Sequence, residues 1–218
     1  MRLHFKLKTN KTIVPFDHFP KVIGAVHKWI GKNDIHDSIS LYSLSTLKGA
    51  KQVDTGLLFE NGASFFFSSI NNELLKRIID GVNISPEIAY GMTVGEIIIQ
   101  EDPDFTNQDR FIPASPIFIK RTLEKGERHF TIDDDEADLY LTETMQNKLK
   151  TAGYINNEAT IKFDRSYPTP KIKLVSYKGI KNKTTLCPII IQASPEVKAF
   201  IWNVGVGNST GIGFGSLI

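Results

Sequence analysis

Cysteine is nearly absent: Cys187 is the only one in 218 residues. A single thiol excludes an internal disulfide framework and any zinc site built from several cysteines. Long hydrophobic runs are missing too. Ile97-Ile98-Ile99 and Pro188 to Ile191 fall far short of the roughly 20 apolar residues that a membrane helix needs. The opening residues, Met1 to Lys8, alternate apolar and charged, which is a strand pattern and not a signal peptide. Net charge is only +2. These absences lead to the expectation of a reduced, cytoplasmic protein with no membrane contact.

What is present is an ordinary globular composition, 41% hydrophobic and 23% charged. The length suits one large domain or two of about 100 residues each. Charge is unevenly spread. Asp133, Asp134, Asp135, Glu136, Asp138 and Glu143 fall in a stretch without lysine or arginine. Lys162, Arg165, Lys171, Lys173, Lys178, Lys181 and Lys183 follow, against Asp164 alone. Such a basic stretch is either a phosphate-contacting face or a solvated lysine-rich hairpin, and charge alone does not decide.

Periodicity predicts the order of elements. Leu3, Phe5 and Leu7 form one face of a first strand, with Arg2, His4, Lys6 and Lys8 on the outer face. A helix is predicted from Asp17 as N-cap, carrying Phe19, Val22, Ile23, Val26 and Ile30 inward until Gly31 stops it. Ser38 to Leu47 alternates as a strand, and Glu60-Asn61-Gly62 reads as a hairpin turn between Thr55–Phe59 and Ser64–Phe67. A helix over Asn71–Asp80 and a strand over Val94–Gln100 complete a β-α-β-β-α-β unit. Residues 101–116, with Pro103, Pro113 and Pro116, read as a linker. The second half repeats the order: a strand near Ile117–Arg121, a helix over Glu136–Lys150, and strands near Thr160–Phe163, Lys171–Tyr177 and Thr185–Gln192. A helix capped by Ser194-Pro195-Glu196 and an end strand over Phe214–Ile218 close it. The expected fold is α+β, with two tandem ferredoxin-like (RRM-like) domains, 1–102 and 113–218, and a glycine-rich loop near the C-terminus.

That loop reads Gly-Val-Gly-Asn-Ser-Thr-Gly-Ile-Gly-Phe-Gly over residues 205–215. Glycine is needed where backbone takes positive φ or approaches something closely, and successive N–H groups in such a loop form a nest for phosphate oxygens. A dinucleotide fingerprint fits poorly, since Thr210 stands where the third glycine belongs and a helix precedes the loop. A merely flexible tail is disfavoured by the alternation of Ile212, Phe214, Leu217 and Ile218. The pattern G-x-G-x-x-x-x-x-G-F-G, met by Gly205, Gly207, Gly213, Phe214 and Gly215, resembles the C-terminal signature of the CRISPR repeat-processing endoribonucleases, the sixth Cas family of the RAMP superfamily.

The resemblance implies a metal-independent endoribonuclease that cuts CRISPR precursor RNA within its repeats by attack of a 2′-hydroxyl, with no cofactor. Repeat RNA is then the partner; CRISPR effector-complex subunits and a homodimer are left open. The family position of the catalytic histidine falls on His36, in Ile35-His36-Asp37. His27, on the first helix, is a second acid/base candidate, for some relatives keep a tyrosine or histidine there. His4, His18 and His129 are read as structural. A basic residue shortly after the histidine is missing, since Asp37-Ser38-Ile39-Ser40 stands there; Tyr42, Lys48 and Lys51 are the substitutes for charge stabilisation. RNA-binding candidates are Gly205, Gly207, Gly211, Gly213, Phe214 and Gly215 of the loop, and Lys171 and Lys173 of the basic stretch, with Lys178, Lys181 and Lys183 nearby. Arg110, Lys120 and Arg121 are candidates for the interdomain region. The acidic run, Asp133-Asp134-Asp135, is the one contender for a metal site and is read instead as helix-capping. Two other readings stay open: a RAMP subunit that binds RNA without cutting it, and a ferredoxin-like metabolite-binding protein.

Overall fold

The computed structural model describes residues 1–31, 39–124, 126–154 and 158–218. His36 lies outside them. The first half is built on a four-stranded antiparallel sheet. Strands β1 (Arg2–Lys8), β2 (Tyr42–Leu44), β5 (Ala63–Ser69) and β6 (Thr93–Gln100) stand in the order β2-β5-β1-β6. Helices α1 (Phe19–Ile30) and α2 (Asn72–Ile84) cover one face. The helix-spaced residues Val22, Ile23, Val26 and Ile30 are buried against Phe5, Phe65 and Phe67, as their spacing predicts. Asn71 caps α2 by accepting from the Leu74 amide at 3.1 Å. The helices cross closely at Gly81, where a Cβ would lie 2.5 Å from the Trp29 carbonyl oxygen.

Three expectations for this half change. The N-cap of α1 is His18, not Asp17, and its side chain makes no capping bond to the helix. Its Nδ1 instead pairs with the Pro15 carbonyl at 2.9 Å. The segment before Glu60-Asn61-Gly62 does not pair across that turn. It forms β4 (Gly56–Leu58), which folds back on β3 (Lys51–Val53), while β5 is claimed by β1 and β2. The long central strand wins because it buries both of its edges.

The outer face of β1 is covered at its start, at Arg2, and open at Lys6 and Lys8. Arg2 is 1% exposed. Its guanidinium is sandwiched between the rings of Phe66 (3.7 Å) and Trp202 (3.4 Å) and donates to the carbonyls of Leu217 (2.8 Å) and Trp202 (3.3 Å). Burial pushes its pKa down to about 9, and Asp102 partly offsets this, so the charge persists at neutral pH. Asn203 joins the same contact: Ser68 donates to its side chain at 2.8 Å and Ser43 to its carbonyl at 2.9 Å.

The second half holds a separate hydrophobic cluster, from Phe105 to Leu217. Its sheet runs β10 (Thr160–Phe163), β13 (Ile189–Gln192), β7 (Arg110–Phe111). The chain after β7 pairs with the C-terminal residues through a bridge of Pro113 to Leu217 and bonds between Ile112 and Ile218. The order of the four segments therefore matches that of the first half. The first strand of this unit lies inside the expected linker, at Arg110–Phe111. The predicted strand near Ile117 is β8 (Ile119–Leu123), which forms its own hairpin with β9 (Gly126–Phe130). Proline explains the shift: Pro113 and Pro116 cannot donate to a continuous ladder. The strand expected over Thr185–Gln192 divides into β12 (Ile180–Leu186) and β13, and Pro188 lies at the break. β12 pairs with β11 (Lys171–Tyr177) as a two-stranded hairpin. Helix α3 (Ala137–Thr151) and helix α4 (Pro195–Val204), capped by Ser194, complete the layer. Among the described residues no helix is long and apolar enough to cross a membrane.

Candidate RNA-binding and cleavage site

Residues 205–215 leave α4 and fold back into the body. All five glycines and Phe214 are buried. The amides of Asn208, Gly213 and Gly215 donate to the carbonyls of Phe118 (2.7 Å), Thr210 (3.2 Å) and Pro116 (2.9 Å). An open phosphate nest along the whole loop is therefore not formed; these N–H groups are used internally. The glycines are required for another reason. A Cβ on Gly213, at φ +90°, would overlap the Phe19 ring, and one on Gly215, at φ +62°, would overlap the Val206 carbonyl. Gly205 faces the Gly215 carbonyl and Gly207 the Phe118 carbonyl, and a Cβ on Gly211 would lie 2.5 and 2.9 Å from the Ser40 and Tyr42 hydroxyl oxygens.

One residue that periodicity passed over fixes this loop. Lys148 of α3 is 3% exposed, and its Nζ donates to the carbonyls of Val204 (3.1 Å) and Gly205 (3.2 Å) and to Thr210 Oγ1 (3.0 Å). It occupies the C-terminal end of α4, where a cation complements the helix dipole. Thr210 in turn donates to the Tyr42 carbonyl at 3.0 Å, linking the loop to β2. Burial pushes the Lys148 pKa down to about 7. The signal existed in the sequence, because Lys148 falls on the same stripe of α3 as Leu141, Met145 and Leu149.

The loop separates two hollows. A polar groove of about 580 Å³ is lined by Gly207, Asn208, Ser209 and Thr210, by Lys148, Lys120 and Arg121, and by Ile39 and Ser40. Asn208 accepts from the Lys120 amide at 2.9 Å. Lys120 pairs with Glu127 at 2.7 Å, and Arg121 with Glu143 at 3.3 Å. On the other side a largely apolar cleft of about 440 Å³ lies between β11, the approach to α1, and Ile212, Gly213 and Phe214.

The remaining candidates scatter. Tyr42 is buried, stacks on Phe67 with centroids 5.1 Å apart, and is held above the usual phenol pKa by burial, with Ser40 opposing. Lys51 is exposed on β3 and lines neither hollow. His27 is half-buried in the last turn of α1. Lys171 and Lys173 are exposed on β11; Lys173 lines the apolar cleft. Arg110 pairs with Asp164 at 2.8 Å. His4 pairs with Gln100 at 2.6 Å, and His129 contacts the Phe118 ring. In the acidic run, Asp134 accepts from the Thr131 amide (2.8 Å) and from Arg128 (2.7 Å), so its carboxylate is occupied in a local turn.

The α+β fold, with its antiparallel sheets and C-terminal glycine loop, is shared with solved ferredoxin-like structures. The family model described as "CRISPR associated protein Cas6, C-terminal" matches residues 100–217, just over half of the chain, and the chain belongs to the Cas6 family. A curated relative from Pyrococcus furiosus, named "Putative CRISPR-associated endoribonuclease-like protein Cas6", is 24% identical over 170 residues, covering 72% of this chain and 68% of the relative. Two solved structures superpose on all of this chain. One, described as "Characterization of a Cas6-related gene from Pyrococcus furiosus", has a TM-score of 0.82 at 20% identity over 97% of its own length. The other, described as "An RAMP protein binding different RNA substrates", has a TM-score of 0.83 at 21% identity over 98% of its length.

Proposed function

We propose that this chain binds CRISPR repeat RNA across the polar groove and cuts it without a metal, with His36 as the acid/base residue. The observation that carries the reading is the groove itself. Loop residues Gly207 to Thr210 line it together with Ile39 and Ser40, which follow His36 by three and four positions in the chain. The 2′-hydroxyl of one nucleotide loses its proton and attacks the adjacent phosphorus. The P–O5′ bond breaks and the leaving oxygen takes up a proton, giving a 2′,3′-cyclic phosphate and a 5′-hydroxyl. Protein groups have to align the attacking oxygen, move the two protons and offset charge on the phosphate. His27 is the second acid/base candidate. Lys171 and Lys173 supply backbone contacts, and the loop supplies its polar tip, Asn208 and Ser209.

One set of observations favours a second reading, an RNA-binding RAMP protein that does not cut. No basic residue follows His36 closely, Tyr42 is buried, and Lys51 stands outside the groove. A labelled repeat RNA incubated in EDTA with wild type, His36→Ala and His27→Ala separates the two. Cleavage by wild type, lost with a 2′-deoxy nucleotide at the cut and lowered about a hundredfold or more by His36→Ala, supports the first reading. Tight binding of intact RNA by all three proteins establishes the second.

A further inference from the structure

The apolar cleft takes no part in the chemistry above, yet its walls carry groups that a structural role does not use. Of the 14 phenylalanines, Phe16 is the only one exposed among the described residues, at 54%, and it lines this cleft. Tyr177, at the end of β11, lines it too, and Leu174 beside it is 68% exposed. One ammonium group, that of Lys173, is on the lining; Lys48 follows the lining residue Leu47 in the chain, and its Nζ donates to the Ala114 carbonyl at 3.0 Å. Among the described residues neither forms an ion pair with a carboxylate. Burial, and then repulsion from Lys173, holds the Lys48 pKa below the usual lysine value.

We propose that this cleft is a subsite for one unpaired nucleotide of the bound RNA, with the base against Phe16 and Tyr177 and the phosphate on Lys173. The inference rests on the RNA-binding reading above. An aromatic surface beside a cation is the arrangement that holds a single-stranded nucleotide, since every base offers a π-face and every linkage an anion. The volume of about 440 Å³ suits a ligand of that size. Continuity favours RNA over a separate ligand: Ile212, Gly213 and Phe214 line this cleft, and Gly207 to Thr210 of the same loop line the groove. A strand crossing the loop passes from one hollow to the other. Asp17, also on the lining, is an acceptor for a base amino group.

The test uses the full chain and a repeat RNA carrying 2-aminopurine at successive unpaired positions, with affinity measured at several salt concentrations. Phe16→Ala should weaken binding about tenfold with the salt slope unchanged, and Phe16→Trp should keep the affinity. Lys173→Ala should reduce the slope by about 0.7, the value for one phosphate contact on a single strand. One 2-aminopurine position should be quenched by wild type and by Phe16→Trp but not by Phe16→Ala. Because Phe16 is exposed, its variants should melt with the wild type. If wild type binds the RNA and Phe16→Ala matches it in affinity and quenching, the subsite is overturned while the RNA reading stands. If wild type itself fails to bind, both fall.

Discussion

The two hollows beside the glycine loop share one loop but not one chemistry. The groove wall carries amide, hydroxyl and charged groups, and its cations Lys120, Arg121 and Lys148 are already paired or buried. The cleft wall is largely aromatic and aliphatic, with one lysine, Lys173, that forms no ion pair among the described residues. The difference follows from which side of the loop each faces. Asn208, Ser209 and Thr210 point toward α3 and β8, whereas Ile212 and Phe214 pack toward α1 and β11. A site with one polar and one aromatic half is suited to a chain whose repeating unit has an anionic backbone and flat bases.

The comparison breaks most severely at the loop. Gly215→Ala should destabilise the protein by about 3 kcal/mol in urea unfolding, since it adds overpacking against Val206 to a left-handed backbone. Gly179→Ala is the control. It too has positive φ, but nothing lies within 4 Å of its Cβ, so about 1 kcal/mol is expected.

Lys148→Met sharpens the comparison, because Lys148 lines the groove and not the cleft. The folded pKa of Lys148, about 7, lies below the ordinary 10.5. Between those values the unfolded chain holds a proton that the folded protein has released. Wild-type stability should therefore rise with pH relative to Lys148→Met from about pH 7 to pH 10, by at most about 1.4 kcal/mol per unit. Below pH 7 the difference should be flat. Urea midpoints at pH 6, 8 and 9 measure it.

The smallest effect is expected from Asn208→Ala. Losing the bond to the Lys120 amide should cost about 1 kcal/mol and weaken RNA affinity without altering 2-aminopurine quenching in the cleft.

The sequence made the first half legible because its pattern is local. Leu3, Phe5 and Leu7 alternate, α1 carries a clean apolar stripe, and Asn71 announces α2. It misled wherever a residue serves a partner distant in sequence. Arg2 was placed outward by alternation, but that rule assumes a sheet with one wet face, and here Trp202 covers the other side. The glycine motif pointed to the right family, and its spacing reflects close packing against Phe19, Val206 and Phe118. Arg110–Phe111 was hidden in the linker because a two-residue strand carries no periodicity.

The buried Arg2 has a thermodynamic corollary. Its guanidinium lies between Phe66 of the first half and Trp202 of the second, and both carbonyl acceptors belong to the second half, so separating the halves removes one ring and both acceptors at once. The two units are expected to melt together: a calorimetric scan should record one endotherm, and Arg2→Met should split or broaden it.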